Sequence, residues 1–440
     1  MIERIILAGG GTGGHLFPGI AVFEELRRRE PELEAIFVGT ARGIETKVIP
    51  QIGERLVCLD VGPLKGRTRT EFAKNLAGLP QAGVEAAKLL RSFRPSLVLG
   101  MGGYAAGPMV GAAALLGIPT VLLEQNAHVG LTNRLLARVV DRAYLSFDET
   151  QRYFPGGRGR VVGNPIRRSF VGLGNMARMD PAGFEMRARK ILVMGGSQGA
   201  RALNQVVPEA LARAGLASRG VEIVHQAGHA MADAVRAKYE SLGLSAHVTP
   251  FIDDMAKVYA SSALVIGRAG ASSLAEICAV GRPSILIPFP AAADDHQWHN
   301  AQALASRGAA VAIREAELTP ELLAEHVARL LSQPELRRSM ADAARSMGRP
   351  DAAAAIVDDL LSWLGGSSGD AERGGGAADP GADDADAEGP GGEPPLRRMG
   401  SFPPDSNERA ASARRRGTRR SSAWSQPDRY YGTKAVGVWE

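Results

Sequence analysis

The chain is poor in the residues on which several common chemistries depend. Of 440 residues only two are cysteine, Cys58 and Cys278. They lie 220 positions apart in apolar surroundings, with no C-x-x-C pair and no Cys/His cluster at zinc spacing. A disulfide framework and a structural zinc site are thereby excluded, and both thiols are expected to be reduced core residues of a cytoplasmic protein. No export is expected either, because the four apolar residues 5–8 run straight into glycines, too few for a signal-peptide core. Residues 97–123 are 27 uncharged positions in a row, long enough to cross a bilayer. Six of them are glycine, and Pro108 and Pro119 interrupt the run, so a strand, a loop, a short helix and a second strand are expected instead. Finally, there is no excess of one charge sign to suggest nucleic acid: the chain has 52 Lys/Arg against 47 Asp/Glu, and residues 1–364 hold 41 against 35.

What is present is enough apolar residue, 45% of the chain, for two ordinary domains, since single cores stop growing at about 250–300 residues. From residue 2 to about 163, short β-branched runs alternate with amphipathic stretches, the pattern of a parallel sheet covered on both faces. A polar stretch over 164–189 reads as a linker, and the pattern restarts at Lys190-Ile191-Leu192-Val193-Met194. The expected organisation is an N-terminal domain over 1–163, a C-terminal domain over 190–364 and a tail over 365–440. Residues 370–393 carry eight acids and one base, and 397–420 eight arginines and two acids. Such blocks cannot bury a core and are expected to be disordered; the clusters Arg414-Arg415-Arg416 and Arg419-Arg420 read as solvated, with an anionic membrane or acidic partner as the other possibility.

Each half opens with a buried strand that runs into a glycine-rich turn and a helix: Gly9-Gly10-Gly11-Thr12-Gly13-Gly14-His15 in the first, Gly195-Gly196-Ser197-Gln198-Gly199-Ala200-Arg201 in the second. Each half then repeats the device, at Gly100-Met101-Gly102-Gly103-Tyr104 and at Gly270-Ala271-Ser272-Ser273-Leu274-Ala275-Glu276. Two doubly wound domains of this kind face one cleft with the carboxyl ends of their sheets. The first turn fits the G-x-G-x-x-G pattern, but the second strand ends Phe37-Val38-Gly39-Thr40 without the ribose-binding acid of an NAD site. What remains is a turn whose backbone N–H groups can approach an anion at a helix N-terminus. His15 follows it, where a helix dipole would keep the imidazole neutral and able to take a proton. Ala271, Ser272 and Ser273 offer a second helix N-terminus to a diphosphate, with Glu276 one turn on for ribose hydroxyls; a plain N-cap serine is the alternative. In Asp294-Asp295-His296-Gln297-Trp298-His299-Asn300 no further Asp/His cluster completes a metal sphere, so a polar loop with Gln297 on sugar hydroxyls is expected and no metal is assigned.

Taken together with Glu124-Gln125-Asn126, Gly163-Asn164-Pro165-Ile166-Arg167 and Phe251-Ile252-Asp253-Asp254-Met255, these motifs resemble, in order over residues 2 to about 364, the family of peptidoglycan glycosyltransferases often called MurG. The resemblance implies a GT-B fold of two Rossmann-like domains. It also implies transfer of N-acetylglucosamine (GlcNAc) from UDP-GlcNAc to the C4 hydroxyl of undecaprenyl-pyrophosphoryl-MurNAc-pentapeptide (lipid I), giving lipid II with inversion. UDP-GlcNAc is then a substrate, and no cofactor is called for. Another UDP-sugar transferase or a UDP-GlcNAc epimerase of like architecture is the alternative. Carried over by position, donor contacts fall on Thr12, Gly13, Gly14, Asn126, Arg167, Ser197, Ile252 and Gln297. Ile252 would hold uracil through its backbone, Glu276 the ribose, and Ser197 with 271–273 the diphosphate. His15 becomes the general base, with Tyr104 and Asn133 on the acceptor side. Where the family often has a histidine before Glu-Gln-Asn, this chain has Leu123. A lipid-linked acceptor calls for peripheral attachment at the cytoplasmic face of the membrane, for which Lys65, Arg67, Arg69, Lys74, Lys88, Arg91 and Arg94, interleaved with Leu76, Leu79, Val84, Leu89 and Leu90, form a basic, partly apolar stretch.

Overall fold

The computed structural model describes residues 2–62, 69–180, 190–196, 199–218 and 220–370. The tail beyond 370, with its arginine clusters, lies outside the described residues, as do Ser197, Lys65 and Arg67.

Seven strands form the first sheet: β1 (Arg4–Gly9), β2 (Glu34–Gly39), β3 (Arg55–Cys58), β4 (Leu97–Gly102), β5 (Thr120–Glu124), β6 (Arg142–Leu145) and β7 (Gly159–Val161). All pairings are parallel, in the order β3-β2-β1-β4-β5-β6-β7. Six more form the second: β8 (Lys190–Met194), β9 (Glu222–Gln226), β10 (Ala246–Thr249), β11 (Ser262–Gly267), β12 (Ser284–Leu286) and β13 (Val311–Ala312), again parallel, in the order β10-β9-β8-β11-β12-β13. Ile5, Ile6, Leu7, Leu97, Val98 and Leu99 are all fully buried. Continuous apolar runs are what a strand needs when helices cover both faces of its sheet.

The strand order reverses between β1 and β4 and again between β8 and β11. At such switch points the loops diverge and leave a crevice beyond the carboxyl ends of the strands. The first crevice receives both N-terminal glycine turns, which interlock: Gly9 has φ +142°, and a Cβ there would lie 2.2 Å from the Gly102 carbonyl oxygen. α1 (Gly13–Arg29), α2 (Glu45–Gln51), α3 (Arg69–Phe93), α4 (Ala106–Leu115) and α5 (Leu131–Leu136) follow in the first half.

Domain boundaries differ from the sequence expectation in two places. α6 (Arg168–Met179), expected as linker, seats Phe170 and Ala177 in the C-terminal core. The second half continues with α7 (Arg201–Arg213), α8 (Ala232–Ser241), α9 (Met255–Ser261), α10 (Ala271–Val280), α11 (His296–Ala305), α12 (Pro320–Ser332) and α13 (Pro334–Met347). The last helix, α14 (Ala352–Asp370), runs six residues past the expected end at Leu364 and returns to the first half. There Ile356, Val357 and Leu360 are fully buried beside Leu16, Phe23 and Tyr144. Each such side chain contributes about 1.5–3 kcal/mol on burial. Asp359 fixes the docking by accepting from Tyr144 Oη at 2.7 Å and pairing with Arg142 at 2.5 Å and with Arg160. Cys278 is buried, but Cys58 is exposed, because β3 is the sheet's edge and its outer flank is uncovered.

Candidate active site

Glu45, at the start of α2, is 1% exposed and organises the first glycine turn. One oxygen accepts the Gly11 N–H at 2.7 Å; the other accepts the Thr40 N–H at 2.9 Å and the Thr40 hydroxyl at 3.1 Å. The Gly10 N–H is bonded to the Gly102 carbonyl at 3.1 Å. Two donors expected to cradle an anion are therefore already taken, one of them by a carboxylate that would repel an anion. Only the first turn of α1, at Gly13 and Gly14, remains open to one. Thr12 is exposed in extended backbone just before α1, with no side-chain capping bond.

His15 is half-buried in that turn. Its Nδ1 lies 3.0 Å from Gln125 Oε1, and Gln125, 1% exposed, donates its Nε2 to the Met101 carbonyl at 2.9 Å. The ring rests on Gly102, where a Cβ would come within 2.6 Å of Nδ1, so only glycine admits the imidazole here. Burial holds the His15 pKa below the ordinary histidine value; hydrogen bonds to Gln125 and Met101 oppose this and do not overcome it. Desolvation thus works in the same direction as the helix dipole invoked from the sequence, favouring the neutral ring.

Glu124 ends β5 and is buried, with its pKa raised by desolvation against four stabilising hydrogen bonds. Its carboxylate gathers the next loop: Asn126 N–H at 3.0 Å, Asn126 Nδ2 at 3.3 Å, Gly130 N–H at 3.1 Å and Asn133 Nδ2 at 3.0 Å. Asn133, expected to line the acceptor side, is instead 3% exposed, with its amide donor spent on Glu124 and the Leu123 carbonyl. It braces the loop from behind because the Glu124 carboxylate needs donors from every side once buried. Asn126 meets the other domain: Asn300 Nδ2 donates to its Oδ1 at 3.2 Å, and Asn300 Oδ1 accepts the Ala127 N–H at 2.8 Å. Tyr104, just beyond β4, is 46% exposed.

Across the cleft α10 begins at Ala271. Its N-cap is Gly270, with no side-chain capping bond, so Ser272 and Ser273 are not the plain caps that were the alternative. Ser272 Oγ instead donates across the domains to the Gly14 carbonyl at 3.4 Å. The half-buried first turn of α1 and the uncapped first turn of α10 thus touch, one carrying His15 and the other backbone N–H groups without a partner among the described residues. Arg167, preceding α6, donates to Glu276 Oε1 from Nε at 3.0 Å and Nη2 at 2.7 Å. Glu276 is 6% exposed, and its pKa is raised by burial despite Arg167. Ile252 is buried, and neither its N–H nor its C=O is hydrogen-bonded among the described residues. Gln297 lies in the first turn of α11, not in a loop, with Oε1 accepting the Phe289 N–H at 2.9 Å. The two residues before α11, Asp294 and Asp295, have φ of +54° and +53°, a left-handed pair that turns the chain sharply at the cleft.

Two family models match. Residues 5–145 fit the Glycosyltransferase family 28 N-terminal domain and residues 190–356 the Glycosyltransferase family 28 C-terminal domain. A UDP-N-acetylglucosamine–N-acetylmuramyl-(pentapeptide) pyrophosphoryl-undecaprenol N-acetylglucosamine transferase of Syntrophus aciditrophicus is 46% identical over 364 residues, which is 83% of this chain and 99% of that protein. A protein of the same name from Sorangium cellulosum is 48% identical over 361 residues, 81% and 87% of the two chains. Among solved structures, MurG of Acinetobacter baumannii superposes with a TM-score of 0.66 at 31% identity, over 82% of this chain and 99% of that one. The chain belongs to the MurG family.

Within the MurG pattern, the departure at Leu123 has a structural place: the side chain is 1% exposed in the core beneath β5 and does not face the cleft. Two residues that motif reading left without a role are Glu45 and Gln125. Gln125 lay inside a quoted motif. Glu45 lay in none, and only a fold-back onto Gly11, 34 residues earlier, gives it one.

Proposed function

We infer that this protein transfers GlcNAc from UDP-GlcNAc to the C4 hydroxyl of lipid I, forming lipid II with inversion. The observation that carries this is identity of 46–48% over more than 350 residues with relatives of that one name. An epimerase or a transferase with another acceptor would not require it. The donor would lie mainly in the C-terminal half: uracil on the free backbone of Ile252, ribose on Glu276 beside Arg167, diphosphate at Ala271, Ser272, Ser273 and Ser197, and sugar near Gln297, with Asn126 reaching the sugar from the N-terminal half. His15, with Thr12, Gly13 and Gly14, approaches from the opposite half. The C4 hydroxyl proton passes to His15 Nε2 as the oxygen bonds to C1. The bond from C1 to the phosphate oxygen breaks and its electron pair leaves with UDP, stabilised by the α10 N-terminus. A base on one domain and a leaving group on the other suit a single displacement from the face opposite UDP, hence inversion. Tyr104 is exposed enough to meet the acceptor.

For the lipid, we propose that the face built by α3, α4 and α5, which pack side by side, rests on the anionic cytoplasmic membrane surface. Leu115 is 90% and Leu135 68% exposed; Val84 and Val139 are exposed too, with Lys88, Arg91, Arg134 and Arg138 in the same helices and the turn after α5. Each base near such a surface contributes about 1 kcal/mol. This replaces part of the sequence expectation, since Leu90 is core and Leu89 packs on it. Among the described residues no helix is long and apolar enough to cross a membrane. The decisive assay uses UDP-GlcNAc with a short-chain lipid I analogue; UDP release without a disaccharide product would overturn the reading.

A further inference from the structure

His15 is held at one ring nitrogen only. Nδ1 faces Gln125 Oε1 at 3.0 Å, while Nε2 has no hydrogen-bond contact of its own in the hydrogen-bond geometry of the described residues. The orientation of the Gln125 amide is fixed by a third group. Its Nε2 sits 2.9 Å from the Met101 carbonyl oxygen; turning the amide over would set two oxygens against each other at that distance, which no proton could reconcile. Oε1 therefore points at the imidazole as an acceptor, and an acceptor facing Nδ1 requires the proton to be there. In a neutral ring this leaves the lone pair on Nε2. Gln125 is buried, as is its bond to the Met101 carbonyl, so water does not compete for the contact that orients the amide.

We propose that Gln125 is a positioning residue that fixes His15 as the Nδ1–H tautomer and so presents Nε2, unprotonated, to the acceptor hydroxyl. This rests on the reading of His15 as the base. An oriented imidazole in the wrong tautomer would offer an N–H to the hydroxyl and could take no proton from it, so the amide decides whether His15 acts at all. A neutral amide also differs from a carboxylate in the same place: it sets the tautomer without adding the charge that would hold the ring as imidazolium.

The full-length protein tests this directly. In the unsubstituted enzyme labelled with 15N-histidine, long-range 15N–1H correlation should show His15, assigned by its loss in His15→Ala, with the proton on Nδ1. A proton on Nε2 overturns the proposal and needs no Gln125 variant to do so. In Gln125→Leu, kcat with UDP-GlcNAc and a short-chain lipid I analogue should fall about 10–100-fold, as for other orienting hydrogen bonds, with the KM for UDP-GlcNAc within about twofold. Loss of a hydrogen bond that raises the His15 pKa should also move the acidic limb of kcat/KM to lower pH. Gln125→Leu with wild-type kcat and an unmoved limb sinks the proposal, while inactive His15→Ala keeps the base assignment. An active His15→Ala sinks that assignment instead.

Discussion

The two crevices at the switch points are built alike and finished differently. Both collect glycine turns at the end of a parallel sheet. In the first, Glu45 and the Gly102 carbonyl take the N–H groups of Gly11 and Gly10, which leaves a turn unfriendly to an added anion and ready to hold a base. In the second, α10 starts on an uncapped Gly270, so its first N–H groups and the Ser273 hydroxyl, without a partner among the described residues, remain available to one. The difference shows that a shared fold does not assign chemistry: a buried carboxylate takes a backbone donor from one glycine turn, while the helix start across the cleft meets none.

The largest way to break this contrast is His15→Ala, for which single-turnover transfer should slow by about 10²–10⁴-fold, the usual worth of a general base. On the other side, the double change Ser272→Ala and Ser273→Ala should lower kcat/KM about 10–100-fold, the loss of hydroxyl bonds to a charged group, with backbone donors keeping the remainder. Removing the buttress in Glu45→Ala should cost about 1–3 kcal/mol in urea unfolding through loss of the bonds it accepts from Gly11 and Thr40, and leave the donor KM near wild type. The smallest effect contrasts two histidines. His225 is buried with Nδ1 at 3.0 Å from Tyr239 Oη and Nε2 at 3.0 Å from Asn204 Oδ1, so unlike His15 it has no nitrogen left for chemistry. Burial lowers its pKa to about 3. The unfolded chain takes up a proton near pH 6.5 that the fold refuses, so this contribution to stability is complete above that pH and is lost as pH falls, by at most about 1.4 kcal/mol per unit. Urea unfolding at pH 7 and pH 5 should show the drop, and His225→Gln should flatten it.

Central strands such as β1 and β4 were legible in the sequence because burial on both faces leaves unbroken apolar runs. The glycine turns were legible because so few residues tolerate their backbone. What escaped was contact at long range. Nothing local marks Ile356, Val357 and Leu360 as core of the first half rather than the second, or α6 as part of the C-terminal core. Cys58 looked internal because its neighbours are apolar, and only the strand order shows β3 at the edge. Within the site, spacing brought out Glu276 and the family resemblance Arg167, but neither showed their ion pair, and the resemblance placed Asn133 at the acceptor when its amide is turned inward to Glu124.

The central claim is that the base and the donor site belong to opposite halves. It is tested most directly by calorimetric titration of UDP-GlcNAc into His15→Ala and Glu276→Gln. The division predicts a Kd within about twofold of wild type for His15→Ala and about tenfold weaker for Glu276→Gln, the latter being one charged hydrogen bond. Equal weakening in both variants would contradict it.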